Sequence, residues 1–192
     1  FIVDEVRQLI PKEVKLHLFG IARPAAIPLM IKAGVNSIDS ASHLRRAWLG
    51  AGQNYFTENG DSYAAIRIPQ ADKSFRAKRI VSEGRASKKE LVQMESECLK
   101  LVRAFDKGNA NIDKTLDALC SYDGIITENR NDIRPLLEKL LNDQPWKKCP
   151  CDICKKDGVE VIIFRGNNRN RRRGFHNTYV FYRMLQEAVQ KG

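Results

Sequence analysis

Histidine and methionine are scarce in this 192-residue sequence, three of each, and no apolar stretch approaches the roughly 18 residues needed to cross a bilayer. A membrane-spanning helix is thereby excluded. The opening residues, Phe-Ile-Val-Asp-Glu-Val, place no basic region ahead of an apolar one, which argues against a secretory signal and predicts a cytoplasmic protein. They also lack an initiator Met and look like the middle of a helix, so a fragment or a processed product is expected. There is no internal repeat and no low-complexity linker. Without a secretory signal, the five cysteines do not read as a disulfide framework. Three of them lie between positions 149 and 154, which points to metal.

Acidic residues are in the minority, 23 against 33 lysines and arginines, leaving a formal net charge of +10. Five arginines fall between Arg165 and Arg173. That balance favours a polyanionic partner, although a merely soluble basic surface is the simpler alternative, and charge alone does not separate DNA from RNA. With 43% hydrophobic residues, the chain has enough apolar material for a core and suits a soluble α/β protein.

Residues 14–19 alternate polar and apolar side chains and run into Gly20, as a strand entering a turn does. Pro24 opens a helical stretch that Gly34 closes, and residues 35–40 read as a second strand. Such a unit predicts parallel strands joined by a right-handed crossover, and α/β barrels carry their chemistry at the carboxyl ends of strands, where Phe19, Gly20 and Asp39 fall. Residues 41–60 read as a loop and 63–68 as a strand. Apolar spacing predicts helices over 89–105, 112–119 and 133–141, with Cys98 and Cys120 as core thiols. A strand over 159–164, a basic loop to Gly174 and a helix from about Asn177 complete the pattern.

The most specific motif is Cys149-Pro-Cys151-Asp-Ile-Cys154, with His176 placed 22 residues after the last cysteine. Three thiolates and one imidazole fill the tetrahedron of a structural Zn²⁺ and leave no position for water, so the expected cofactor holds the fold rather than catalyses.

The CxCxxC turn, followed by Gly-Phe-His176-Asn-Thr-Tyr-Val-Phe-Tyr, resembles the zinc subdomain of the tRNA-guanine transglycosylases. Upstream, Leu16-His-Leu-Phe-Gly-Ile and Gly34-Val-Asn-Ser-Ile-Asp39 resemble the last two barrel strands of the same superfamily. The resemblance implies an α/β fold: the carboxyl-terminal part of a TIM (β/α)₈ barrel over residues 1–86, a helical insertion over 87–148, and a zinc-binding subdomain with its terminal helix over 149–192. It implies exchange of guanine in a polynucleotide for a 7-deazaguanine base, through a covalent intermediate in which Asp39 captures the sugar. Phe19 and Gly20 then lie against the bound base, and Arg45 and Arg46 occupy the family's phosphate-binding loop. His17 and His43 match no family role.

Two departures point away from tRNA. Asp39 is followed by Ser-Ala-Ser-His-Leu-Arg-Arg-Ala-Trp rather than a Pro-Thr-Arg type sequence, and a helical stretch separates the barrel end from the zinc turn. Both resemble the DNA-modifying, DpdA-type branch, which makes DNA the favoured nucleic-acid partner and tRNA the alternative. In the family, the amino-terminal half of the barrel supplies the second catalytic aspartate, so that half is an expected partner and the chain alone is expected to be inactive. A second copy of the chain is a partner left open. A reading of another class is a non-catalytic, zinc-stapled nucleic-acid-binding module using Arg169, Arg171, Arg172 and Arg173 on phosphates.

Overall fold

The computed structural model describes residues 2–21, 23–49, 52–130 and 132–191, with the side chains of residues 167–169 and 191 excepted. Helix α1 (Ile2–Leu9) precedes strand β1 (Leu16–Leu18). A 3₁₀ turn at Pro24–Ala26 leads into α2 (Ile27–Lys32), where proline's fixed φ and missing N–H suit a helix start. Strand β2 (Val35–Ile38) returns beside β1, and the two pair in parallel, with His17 opposite Ser37 and Leu18 opposite Ile38. The expected βαβ unit is therefore present, with shorter strands than the alternation suggested. Large apolar side chains remain exposed on it, among them Phe19 and Leu29, and on α1 beside it, Ile2 and Leu9.

The following segment is more ordered than its glycines imply. It contains α3 (Ser42–Arg46) and β3 (Tyr55–Phe56), which pairs antiparallel with β4 (Ser62–Tyr63). The strand expected over 63–68 is broken: β4 ends at Tyr63, and β5 (Ile66–Arg67) pairs instead with β6 (Ile163–Phe164), in parallel and from far along the chain.

Helices α4 (Phe75–Ser82), α5 (Lys88–Asp106), α6 (Ile112–Thr127) and α7 (Arg134–Asp143) follow. Their starts are chemically marked. Ser74 accepts the Ala77 N–H, Ser87 and Glu90 form a reciprocal capping box, and Asn111 accepts the Asp113 N–H. Short helices α8 (Pro145–Lys148) and α9 (Asp152–Asp157), with a 3₁₀ turn at Gly158–Val161, bring the cysteine turn back onto α5. The long helix α10 (Gly166–Lys191) closes the fold and packs along α2, α3 and β3. Gly174 allows that approach, since a Cβ there would sit 2.7 Å from Leu44 Cδ1.

One apolar core joins Tyr55, Ile66, Ile68 and Ile80 to Leu91, Val102, Leu116, Leu140 and Trp146, and to Cys151, Cys154, Val161 and Ile163. Its members lie on both sides of positions 86/87 and 148/149. Cys98 is buried in this core, while Cys120 is half-buried.

The arginine cluster is the main correction. Residues 166–174 are not a loop but the first turns of α10. Arg173, expected on phosphates, is fully buried: its Nε and Nη2 donate to the Ala47 carbonyl at 2.9 and 2.6 Å, and Nη1 donates to those of Val161 and Ile163 at 3.0 and 3.4 Å. A guanidinium with its donors spent on main-chain carbonyls staples α3 to β6 and offers nothing to a phosphate. Burial pulls its pKa down to about 9, which still leaves it charged at neutral pH.

Candidate metal centre and nucleic-acid site

Cys149, Cys151, Cys154 and His176 converge with their ligand atoms all within 4.8 Å of one another. The three sulfurs lie 3.5, 3.5 and 3.4 Å from His176 Nδ1. A tetrahedral zinc with Zn–S of about 2.3 Å and Zn–N of about 2.0–2.1 Å sets sulfur and nitrogen about 3.5 Å apart, so the donor set fits the ion in identity, number and spacing. The turn is preorganised by the fold itself. Cys151 caps α9, its sulfur accepting the Cys154 N–H at 3.3 Å.

The imidazole is oriented from behind. Its Nε2 lies 2.8 Å from the Phe56 carbonyl, a contact that requires the proton on Nε2 and leaves the Nδ1 lone pair facing the sulfurs. Tyr55 stacks on the same ring at 3.9 Å, and its hydroxyl lies 3.3 Å from Cys154 Sγ. Burial, and then the charge of Cys154, push the Tyr55 phenol's pKa up, so it stays protonated and can donate to a thiolate. Hydrogen bonds from Cys151 and Cys154 hold the Cys149 thiol below its ordinary value, while proton sharing with Cys149 pushes Cys154 up. Burial alone lowers His176, but its sulfur partners outweigh that and raise it to about 9. A cluster that shares protons to offset mutual repulsion is one that a dication satisfies.

The second constellation sits at the ends of β1 and β2. The Gly20 N–H donates to Asp39 Oδ1 at 2.6 Å, and the Asp39 N–H donates to the Leu18 carbonyl at 3.2 Å. Gly20 has φ +68, a left-handed conformation that favours glycine and turns its N–H toward the carboxylate. Asp39 is exposed, with only one carboxylate oxygen engaged by that contact. Phe19 is 79% exposed, its ring edge against His17 at 4.4 Å, so it is not a buried core residue.

Gly20 lines a cavity of about 840 Å³, as do Ile21, Arg23, His43, Arg46 and Met184 of α10. Arg46 is exposed and donates to Gln53 at 2.9 Å; Arg45 is also exposed. His43 stands between Phe56 and Phe181, and burial, with the Arg46 charge adding to it, lowers its pKa. Across the fold, Arg171 is exposed and Arg172 is paired with Asp157 at 3.2 Å. The side chain of Arg169 lies outside the described residues.

What joins the two constellations was missed by sequence reasoning. Asn177 Nδ2 donates to the carbonyls of His43 and Asn54 at 3.0 and 2.9 Å, and its Oδ1 accepts the Phe56 N–H at 3.2 Å. Asn54 donates to the carbonyls of Arg46 and Leu49 and accepts from the Ala65 N–H. Both side chains are fully buried and satisfied. Asn177 adjoins the histidine of the metal motif, which is a signal of a kind; nothing local marks Asn54.

No protein-family model matches the sequence. A DNA-guanine transglycosylase from Salmonella montevideo is 37% identical over 189 residues, which is 97% of this chain. The chain is a homologue of a guanine transglycosylase of the DNA-modifying branch. It spans 45% of the length of that relative, just under half. No helix among the described residues is long and apolar enough to cross a membrane.

Proposed function

We propose that this chain forms part of a transglycosylase that exchanges guanine in DNA for a 7-deazaguanine base, with Asp39 as the nucleophile. The observation that carries the reading is the Asp39 carboxylate at the end of β2, held by the Gly20 N–H at 2.6 Å beside a large basic-walled cavity, in a chain 37% identical to a DNA-guanine transglycosylase. On this reading β1 and β2 are neighbouring strands of a (β/α)₈ barrel whose other strands cover the exposed apolar faces of the βαβ unit. Their parallel pairing supports it.

The chemistry follows from the carboxylate. The free oxygen of Asp39 attacks C1′ of the target nucleotide as the glycosidic bond breaks, and the electron pair leaves with guanine, which takes up a proton. The 7-deazaguanine base then attacks C1′ from the opposite side, loses a proton and expels the Asp39 carboxylate, so two inversions preserve the configuration. Phe19 and Gly20 offer a flat surface to a base. Arg45 and Arg46, exposed on the helix that follows Asp39, would serve flanking phosphates.

Cys149, Cys151, Cys154 and His176 would hold a structural zinc, which would supply no step of the exchange and would fix α10 against β3, and through α10 the helix α3 that carries Arg45 and Arg46. The test supplies the complete enzyme with labelled 7-deazaguanine and with duplex DNA and tRNA in competition. Label in DNA is expected; label in tRNA alone refutes the DNA assignment.

A further inference from the structure

At the opposite end of α10 from this cavity lies another, of about 340 Å³, between the starts of α10 and α4 and the end of α6. Arg67, Lys73, Arg76 and Arg165 line it, with Asp123 as the carboxylate among its lining residues. Asp123 is buried and accepts from Thr127 Oγ1 at 3.2 Å, and burial pushes its pKa up. Arg67 lies over the Phe164 ring at 4.2 Å. Burial first, opposed by Asp123 but reinforced by the like charge of Arg76, pulls the Arg67 pKa down, as befits crowded cations. Arg165 is paired through Nη2 with Glu95, yet its buried Nε has no hydrogen-bond partner.

Backbone adds to this charge. Ser74, the N-cap of α4, and Gly166, the first residue of α10, both line the cavity, so the positive ends of two helices border it. Between the lining residues Ser74 and Arg76 stands Phe75, 81% exposed. An exposed aromatic residue next in sequence to two lining residues of a cationic hollow suits a nucleic-acid strand, whose phosphate takes the charge and whose base takes the ring.

We propose that this cavity is a second DNA site that takes a backbone phosphate, with Phe75 wedged against a base that it partly unstacks from the duplex. The identity of the polymer rests on the proposed function; the phosphate chemistry does not. From Gly166 to Met184, which borders the Asp39 cavity, α10 rises about 27 Å, or about eight base pairs of one strand at 3.4 Å each. The site anchors the duplex away from the target nucleotide. A free phosphate compound fits the same cations but gives Phe75 nothing to do.

Lys73, Phe75 and Arg76 are exposed, so their replacement spares the core. The experiment measures binding of the full-length, zinc-loaded protein to a duplex long enough to span both cavities, as a function of salt. Lys73→Gln combined with Arg76→Gln is expected to weaken binding at least about tenfold at low salt and to reduce the log–log salt slope by about 0.9, the value for one phosphate contact. Phe75→Ala is expected to weaken binding about 5- to 100-fold with the slope unchanged. Variants with the parent's affinity and slope overturn the proposal. A parallel titration with inorganic phosphate separates the sources: loss of phosphate binding with DNA binding intact assigns the cavity to a small phosphate compound and overturns the DNA site. If the parent binds DNA as expected yet transfers no base, the proposed reaction fails and the cavity stands. If it transfers base while both variants bind like the parent, the cavity alone fails.

Discussion

His176 Nε2 lies 2.8 Å from the carbonyl oxygen of Phe56, while the next residue along α10 accepts the Phe56 N–H at 3.2 Å. Both polar groups of one β3 residue are thus engaged by consecutive residues of a helix 120 positions away. The first of those residues completes the metal cluster. The second, Asn177, reaches the carbonyls of His43 and Asn54, so the metal turn and the loop that follows Asp39 are held by one peptide.

Purified protein should carry about one zinc per chain, and chelation should unfold it, because closed sites of this kind contribute their binding free energy to folding. Metal analysis with a thermal melt in the presence of chelator checks this. Cys151→Ser, which removes a buried ligand and the cap of α9, should lose both the metal and the cooperative melt. A zinc-free protein with an unchanged melt contradicts the assignment.

Arg173 and Arg171 should separate cleanly. Replacing Arg173 with Met leaves buried carbonyls of Ala47, Val161 and Ile163 short of donors and should cost about 3 kcal/mol or more. Arg171→Ala, on the exposed face of α10, should stay within about 0.5 kcal/mol. Denaturant unfolding of the two variants side by side provides the comparison.

Asn177→Ala should destabilise by about 1–3 kcal/mol, since it strips partners from buried main-chain groups of Phe56, His43 and Asn54 at once. Zinc content should be retained, because no ligand is touched. Loss of zinc together with stability would place Asn177 in the metal site itself rather than in the brace behind it.

Within the complete enzyme, Asp39→Asn should abolish base exchange while DNA affinity changes by no more than a few-fold, since the nucleophile is needed for bond formation and not for phosphate contacts. Gly20→Ala should act on the same site indirectly. Its φ of +68 disfavours a side chain, so the variant should lose about 1 kcal/mol of stability together with the hold on Asp39. Single-turnover transfer, read alongside binding, distinguishes the two. Full exchange by Asp39→Asn would remove the aspartate from the reaction.

The Cys₃His cluster was legible because its signal is local and chemical. Cysteines and histidines at those intervals have few other uses, and the folded chain gathers all four within 4.8 Å. The βαβ unit was legible too, as proline and glycine punctuate it and its strands alternate. Three helices followed the apolar spacing, as α5, α6 and α7, while α4 had no such reading. The arginines were harder to read, because composition gives a charge but not its direction. Arg171, Arg172 and Arg173 are consecutive, yet on a helix consecutive residues point about 100° apart, and one of the three turns into the core.

Sequence by itself therefore determined what depends on short-range chemistry: the ligand set, the apolar faces of α5, α6 and α7, the alternation of β1 and the aspartate at the end of β2. Tertiary structure alone decided what depends on long-range closure. It paired β5 with β6 across nearly 100 residues, buried Arg173 against three carbonyls, and made Asn54 and Asn177 the brace between metal and cavity. Main-chain carbonyls carry no sequence label, so which of them need a partner is known only once the chain has folded around them.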